Sequence, residues 1–398
     1  MILNKIWRDP NFIIGGVAIG SNFYKRNDII ENIWHELKKG NSVMLAAPRR
    51  AGKTSIMQYM EKNPMESYKL IFRNIQGVDS ANDFFERIYT LLLNCLNKMD
   101  EVNKWFENFK NAITITKISL DGVEFVNRPI DFLKAINTLL IEINKINEIE
   151  NIILLLGELP EVLFNINKTN NNDAVLILKS LRNWIQQPEM NKKMKFVLAG
   201  SVDIHCVIDK IETKHSDFND FAIIVDCKPL SDNEAHNYID WAIEGTTVIF
   251  RDELKEYLIS KIQYFVPYFI NLLLDKINEQ ARKANNPRIT SQNIDTAFEM
   301  VVKRSDYFKD WQSHLQNYLP SDDFNFVNEI LIHTAHKGHI NIQEIYDKAV
   351  KYNKTSGYMN YINDLERDGY ITETNSEYKF ISPFLGAFWK RNNPIYKI

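Results

Sequence analysis

Cysteine is scarce: three in 398 residues, Cys95, Cys206 and Cys227, with no Cys-X-X-Cys spacing. That excludes a disulfide-built fold, argues against a cysteine-based zinc site and fits a reducing compartment. Glycine (14) and proline (12) are few, which leaves little material for long flexible linkers. Excess charge of one sign is missing too. Lys and Arg total 48 and Asp and Glu 51, a net of −3, so no overall field draws the chain to nucleic acid or an anionic membrane. No run approaches the ~18 apolar residues of a membrane-spanning helix. The longest candidate, 257–274, is broken by Ser260, Lys261, Gln263, Pro267 and Asn271. Near the amino terminus, the short apolar stretch 12–20 follows Arg8 and Asp9 and lacks the h-region of a signal peptide. The expectation is a cytoplasmic protein with no membrane partner.

What is present is an ordinary globular composition, 45% apolar and 25% charged. At about 150 residues per domain the length suggests two or three domains. A helix is expected over 27–39, with Ile29, Ile30, Ile33 and Trp34 on one face and Lys38-Lys39-Gly40-Asn41 as its stop. Buried strands are expected at 42–46 (SVMLA) and 194–199 (MKFVLA), a central parallel strand at 151–156 (NIILLL), and further strands at 69–75 (KLIFRNI) and 223–226. Helices at 54–60, 82–98, 130–147 and 174–187 alternate with them, and 113–126 reads as a hairpin turning at Asp121-Gly122. That alternation predicts a doubly wound parallel sheet, hence an α/β fold. After Lys228-Pro229-Leu230 the strands largely vanish and 231–303 reads as helices. Pro320-Ser321-Asp322 marks a boundary, and 324–396 reads as two or three helices followed by a hairpin, the outline of a winged helix.

One segment carries chemistry. Ala47-Pro48-Arg49-Arg50-Ala51-Gly52-Lys53-Thr54 matches seven of the eight places of the phosphate-loop pattern GxxxxGK[ST], with Ala47 in place of the first glycine. It lies between a buried strand and a helix, as the motif requires. Gly52 permits the bend that turns backbone N–H groups toward an anion, and the following helix offers its positive end. Lys53 would bridge the β- and γ-phosphates, and the Thr54 hydroxyl would ligate Mg²⁺.

A second apolar strand, 152–156, runs into Gly157-Glu158. In ATPases of this architecture two acidic residues end such a strand: the first orders Mg²⁺ and its water, the second polarises the attacking water. Glu158 stands in the second place as catalytic base. Gly157 stands in the first and has no side chain, which leaves Glu161, a turn later, as an alternative. Phosphoryl transfer depends on positioning, so weakened hydrolysis with retained nucleotide binding is expected.

Taken together, AAPRRAGKTS, LLLGELPEVL, FVLAGSVDI and LERDGYI…YKFISPFLGAFWKR resemble the archaeal-type ATPases of the AAA+/STAND group over roughly residues 10–395. The resemblance implies a P-loop NTPase core over 1–228 with its lead-in, a helical lid over 229–319 and a C-terminal winged helix over 320–398. It implies ATP and Mg²⁺, with Pro48, Arg49, Arg50, Ala51, Gly52, Lys53, Thr54 and Ser55 in the phosphate loop. It also implies a polar sensor at Ser201, for which a turn cap is the alternative. Phe23-Tyr24-Lys25-Arg26 is similar to the family's F-Y-G-R segment, with Lys25 in place of glycine. Tyr24 and Arg26 are thus candidates for the base, with plain packing as the other reading. Pro267-Tyr268 resembles a lid segment that closes over the nucleotide, or simply starts a helix. Such ATPases often need an arginine from a neighbouring subunit, and Arg182 is the candidate, against a surface salt bridge.

Residues 321–398 carry 9 basic and 10 acidic side chains, a net of −1. The segment placed as a recognition helix, 356–368, holds Asp364, Glu366 and Asp368 against Arg367. Phosphate backbones select the opposite balance. Lys348, Lys351 and Lys354 offer a modest basic edge. The expected function is therefore an ATP-dependent switch that reports to a protein partner or to a second copy. A DNA-dependent motor or loader and a non-hydrolysing, nucleotide-stabilised scaffold are the alternatives.

Overall fold

The computed structural model describes residues 6–47, 49–96, 118–119, 122–123, 130–145, 151–200, 207–208, 211, 222–304 and 306–397. The chain divides into two units. One comprises Arg26–Ala46 and Ile56–Asp226, the other Met1–Lys25, Ala47–Ser55 and Cys227–Ile398.

The first unit is built on a five-stranded parallel sheet of β1 (Val43–Ala46), β2 (Tyr68–Asn74), β5 (Asn151–Gly157), β6 (Met194–Ala199) and β7 (Ile223–Asp226), in the order β2-β5-β6-β1-β7. The expected strands are all present. Residues Ile152 to Leu156 are fully buried, as expected for a strand covered on both faces. Ser42 closes a gap in the ladder: its buried Oγ accepts a hydrogen bond from the backbone N–H of Phe196 at 3.1 Å. The chain leaves β1 for β2 at one edge of the sheet, and β7 later pairs on the other side of β1. The carboxyl end of β1 is therefore a topological switch point, where open parallel sheets bind ligands.

Helices α1 (Asn27–Lys38), α3 (Ala81–Leu96), α4 (Phe132–Lys145), α5 (Leu159–Thr169), α6 (Asn171–Gln186) and the one-turn α7 (Pro188–Asn191) cover the sheet, and α2 (Lys53–Lys62) follows β1. The sequence reading gave one helix from 174. The structure has two, because Asn170 is extended (φ −152°), ends α5 and caps α6 by accepting from Asn172 N–H. Trp184 is core. It is fully buried, stacks on Phe196 at 6.3 Å and donates from Nε1 to Asn137 at 2.7 Å. Of the expected hairpin, β3 (Ile118–Ser119) and β4 (Gly122–Val123) pair antiparallel; the rest of 113–126 lies outside the described residues.

The second unit is helical: α8 (Asp232–Ile243), α9 (Asp252–Ile262), α10 (Pro267–Lys283), α11 (Ser291–Lys303), α12 (Asp306–Tyr318), α13 (Ser321–Lys337), α14 (Ile342–Lys351), α15 (Tyr358–Arg367) and α16 (Pro383–Asn392). Capping boxes at Ser231, Thr290 and Asn341 start α8, α11 and α14. The tail holds one strand more than the expected hairpin. Strands β8 (Ile340–Asn341), β10 (Glu377–Phe380) and β9 (Ile371–Thr374) form an antiparallel sheet in that order. One apolar cluster spans the unit: Phe269 of α10 faces Trp311 of α12 at 6.2 Å and Phe384 of α16 at 5.5 Å. The lead-in is tied down by Trp7 Nε1 donating to Asn278 (3.0 Å) and Asn278 donating to Asp9 (2.7 Å).

Candidate functional site

The loop between β1 and α2 carries the site. Gly52 has φ +95° and open space where a Cβ would stand, so its role there is conformational. Arg50 also occupies the left-handed region (φ 66°), which costs a non-glycine residue about 1–2 kcal/mol. Strain of that kind concentrates at functional sites. Lys53 is 8% exposed, and its ammonium donates across the loop to the Ala47 carbonyl at 2.7 Å. It opens α2, whose amino end carries partial positive charge. Ser55 accepts from Ala18 N–H at 3.0 Å, so its hydroxyl anchors the lead-in. The thiol of Cys227 lies 3.6 Å from the Ala51 carbonyl.

Both loop arginines are engaged by α12. Arg49 Nη1 lies 2.9 Å from His314 Nδ1. A guanidinium only donates, so Nδ1 is the acceptor and the imidazole proton sits on Nε2, 4.0 Å from an Asp368 carboxylate oxygen. Burial, reinforced by the positive charges of Arg49 and Lys53, pushes His314 down to about 3 and keeps it neutral. Arg50 Nη2 pairs with Asp310 at 2.7 Å, and Nη1 donates to the Gly15 carbonyl at 3.2 Å. The guanidinium also lies 5.1 Å from the centre of the Tyr268 ring. Burial raises the Tyr268 hydroxyl to about 12, so it stays protonated and donates to the Tyr307 carbonyl at 3.2 Å. Asp310 and His314 escaped the sequence reading. They are an i, i+4 pair on an amphipathic helix, and nothing in that spacing announces a loop some 260 positions earlier.

At the end of β5, Gly157 is buried and adopts no conformation reserved for glycine. An added Cβ would meet Phe72 at 3.5 Å and Met57 at 3.6 Å, ordinary contacts. Glu158 is the residue in the left-handed region (φ 68°, ψ 27°), immediately before α5. Glu161, in the first turn of α5, turns its carboxylate over the carboxyl end of β6: a Cβ built on Gly200 would lie 2.8 Å from Glu161 Oε2.

The other expected site residues fall as follows. Pro48 and Ser201 lie outside the described residues. Tyr24 packs edge-on against Tyr238 (5.0 Å) and Trp241 (5.4 Å) of α8. Arg26 is 5% exposed, precedes α1 and pairs with Asp28 at 3.5 Å. Pro267 is the first residue of α10, where a missing N–H costs nothing. Arg182 is half-buried and donates to Gln186 in its own helix at 2.9 Å. In the tail, Lys348 and Lys351 face Glu329 (3.6 and 3.4 Å), and Lys354 pairs with Asp323. Among the described residues no cluster of three or more His, Cys, Asp or Glu is placed to hold a metal ion, and no helix is long and apolar enough to cross a membrane.

No protein-family model and no functionally described protein matches the sequence. Solved structures do resemble the fold. A Walker-type ATPase of Pyrococcus abyssi superposes with a TM-score of 0.61 at 14% identity, covering 95% of this chain and 99% of that one. The ORC2 protein of Aeropyrum pernix in its ADP form gives 0.44 at 14% identity, over 96% of each chain. The RuvB Holliday junction branch migration motor of Thermotoga maritima gives 0.41 at 11% identity, over 91% of this chain and 94% of that one. With a parallel five-stranded sheet, a glycine-lysine-threonine loop after β1 and the near-complete overlap with the Pyrococcus structure, the chain has the fold of the AAA+ P-loop ATPases.

Proposed function

We propose that this chain binds Mg-ATP at the 47–55 loop and works as a nucleotide-dependent switch with weakened hydrolysis. The observation that carries the reading is the loop itself: a left-handed Gly52, a buried Lys53 turned back on Ala47 and two arginines at the amino end of α2. This donor set fits a polyphosphate, being cationic and set on a helix amino terminus. The Thr54 hydroxyl fits a hard cation such as Mg²⁺. Bound Mg²⁺ would neutralise charge on the phosphate oxygens. Lys53 would hold the phosphate end, and Glu158 would orient the attacking water. Ser201 is the candidate sensor, Arg182 the candidate arginine for a neighbouring copy, and Tyr24, Arg26 and Pro267 the candidates for the base.

Weakened hydrolysis is supported by the end of β5. Phe72 and Met57, both apolar, line the space where the first acid would project from residue 157. The carboxylate of Glu161, lying over the end of β6, is the nearest substitute in that turn and is proposed to share the task. These same observations favour a non-hydrolysing scaffold as the second reading. In the proposed division of the chain, 1–228 is the ATPase core, 229–319 the lid and 320–398 a winged helix. The tail has the helix–strand–helix–helix–hairpin order of a winged helix, and its three basic-edge lysines are occupied by Glu329 and Asp323. A protein partner or a second copy thus suits it better than a DNA backbone. ORC2 and RuvB share this chain's coarse architecture without bearing on that choice.

The test is Mg-ATP binding and phosphate release on one preparation, with and without duplex DNA, beside Lys53→Ala. Loss of a charge-assisted contact should weaken binding by roughly 10- to 100-fold. Release that is slow in the wild type and unchanged by DNA supports the switch. DNA-stimulated release favours a motor, and Lys53-independent binding overturns the reading.

A further inference from the structure

The arginine that follows Arg49 in the loop is held by a carboxylate of the same unit. Arg50 adopts a left-handed backbone that an arginine does not favour, and three groups hold its side chain: the Asp310 carboxylate at 2.7 Å, the Gly15 carbonyl at 3.2 Å and the Tyr268 ring at 5.1 Å. Asp310 lies on α12, one turn before His314, which accepts from Arg49. From the same helix, the Trp311 carbonyl accepts from the fully buried Tyr370 hydroxyl at 2.7 Å, one residue before β9. Residues 310, 311 and 314 thus connect the loop arginines to the root of the β9–β10 hairpin.

We propose that Asp310 is a built-in counter-ion of the phosphate loop, competing with a nucleotide's phosphates for Arg50 and so tying α12 and the hairpin to nucleotide occupancy. This rests on the reading of 47–55 as the nucleotide loop. An anion entering the loop attracts the Arg50 guanidinium, and the Asp310 pair loosens as it does. By reciprocity, anything that pulls α12 from the loop raises affinity for the anion by the same factor. The pair is half-exposed, with 30% of the Arg50 side chain and 48% of the Asp310 side chain accessible, so its strength is that of a screened ion pair. That sets the expected coupling at about three- to fivefold in affinity.

The test titrates wild type, Asp310→Asn, Arg50→Ala and the double variant with Mg-ATP, with Lys53→Ala as the reference for loss of the loop. Asp310→Asn, which keeps shape and removes charge, should bind about three- to fivefold tighter. In the Arg50→Ala background the same change should have no effect. On the wild type, adding Mg-ATP should speed amide hydrogen exchange in 306–318 and 371–380. A merely structural Asp310 would lower stability without tightening binding. Lys53-dependent binding in the wild type with no gain in Asp310→Asn, or with exchange in 306–318 unchanged, overturns the counter-ion and leaves the nucleotide reading standing. Absence of Lys53-dependent binding in both wild type and Asp310→Asn overturns the nucleotide reading and the counter-ion with it.

Discussion

Arg49 donates to Nδ1 of His314 at 2.9 Å, and that bond fixes the imidazole as a neutral Nε2–H tautomer. The ring is 5% exposed and faces Arg49, Lys53, Asp368 and the Tyr318 ring. Its folded pKa, about 3, lies below the ordinary 6.5. The unfolded chain therefore takes up the proton first. Stability from the neutral ring is complete above pH 6.5 and is lost as pH falls from 6.5 toward 3. Between pH 7 and pH 5 the loss should be about 2 kcal/mol. Thermal unfolding of His314→Asn, which keeps an acceptor near Nδ1, should be flatter than wild type over that interval. Glu279 and Glu344, both near 2, lose their contribution only below pH 4.5 and leave the comparison clean.

At the end of β5 the glycine and the glutamate are in each other's conformational places. Gly157 adopts an ordinary backbone while Glu158 carries φ 68°. A chain selected for stability alone would put glycine at 158. Glu158→Gly should therefore stabilise by about 1 kcal/mol and abolish phosphate release. Glu158→Gln, which keeps the strain, should lose release without gaining stability. Calorimetry beside a phosphate assay reads both. A stabilised Glu158→Gly variant that still releases phosphate at the wild-type rate would remove Glu158 from the chemistry.

Gly157→Asp tests the missing acid. Its Cβ fits at 3.5 Å from Phe72, and its carboxylate must then share an apolar wall with Phe72 and Met57. Destabilisation of about 1–3 kcal/mol is expected. Phosphate release should rise at least about tenfold, one order in the barrier, while Gly157→Ala, which adds only the Cβ, should leave it unchanged. Equal rates in all three proteins would mean that Glu161 or another group already serves.

The strands of the sheet centre were legible because 43–46, 152–156 and 194–199 are short apolar runs, and 152–156 is buried throughout, as its lack of alternation implied. The loop was legible because Gly52-Lys53-Thr54 lies between a strand and a helix. The break at Asn170 was not, since asparagine in a polar NKTNNND stretch reads as one long surface. The α12 contacts were illegible for a different reason. Asp310 and His314 look like the polar residues of any amphipathic helix, and only tertiary structure sets them on Arg50 and Arg49. The strand β8 was missed because two residues, Ile340 and Asn341, give no period.

Gly200 offers a stability test with a functional consequence. It follows β6, and a Cβ there would fall deep inside van der Waals contact of the Pro160 ring as well as meeting Glu161 Oε2. Neither obstacle yields cheaply: the proline ring is rigid, and it opens α5 two residues after Glu158. Gly200→Ala must therefore push the start of α5 away from the end of β6. The cost should be about 1–3 kcal/mol, the range of overpacked cores. The displaced segment carries both Glu158 and Glu161, so phosphate release should fall along with stability. Mg-ATP affinity, proposed to rest on the donors of residues 47–55, should change less than about threefold, since the substitution removes none of them. Measured side by side, a large fall in release with affinity retained ties the glutamates to turnover. Release unchanged in a destabilised variant would mean that the placement of the α5 start does not limit the reaction.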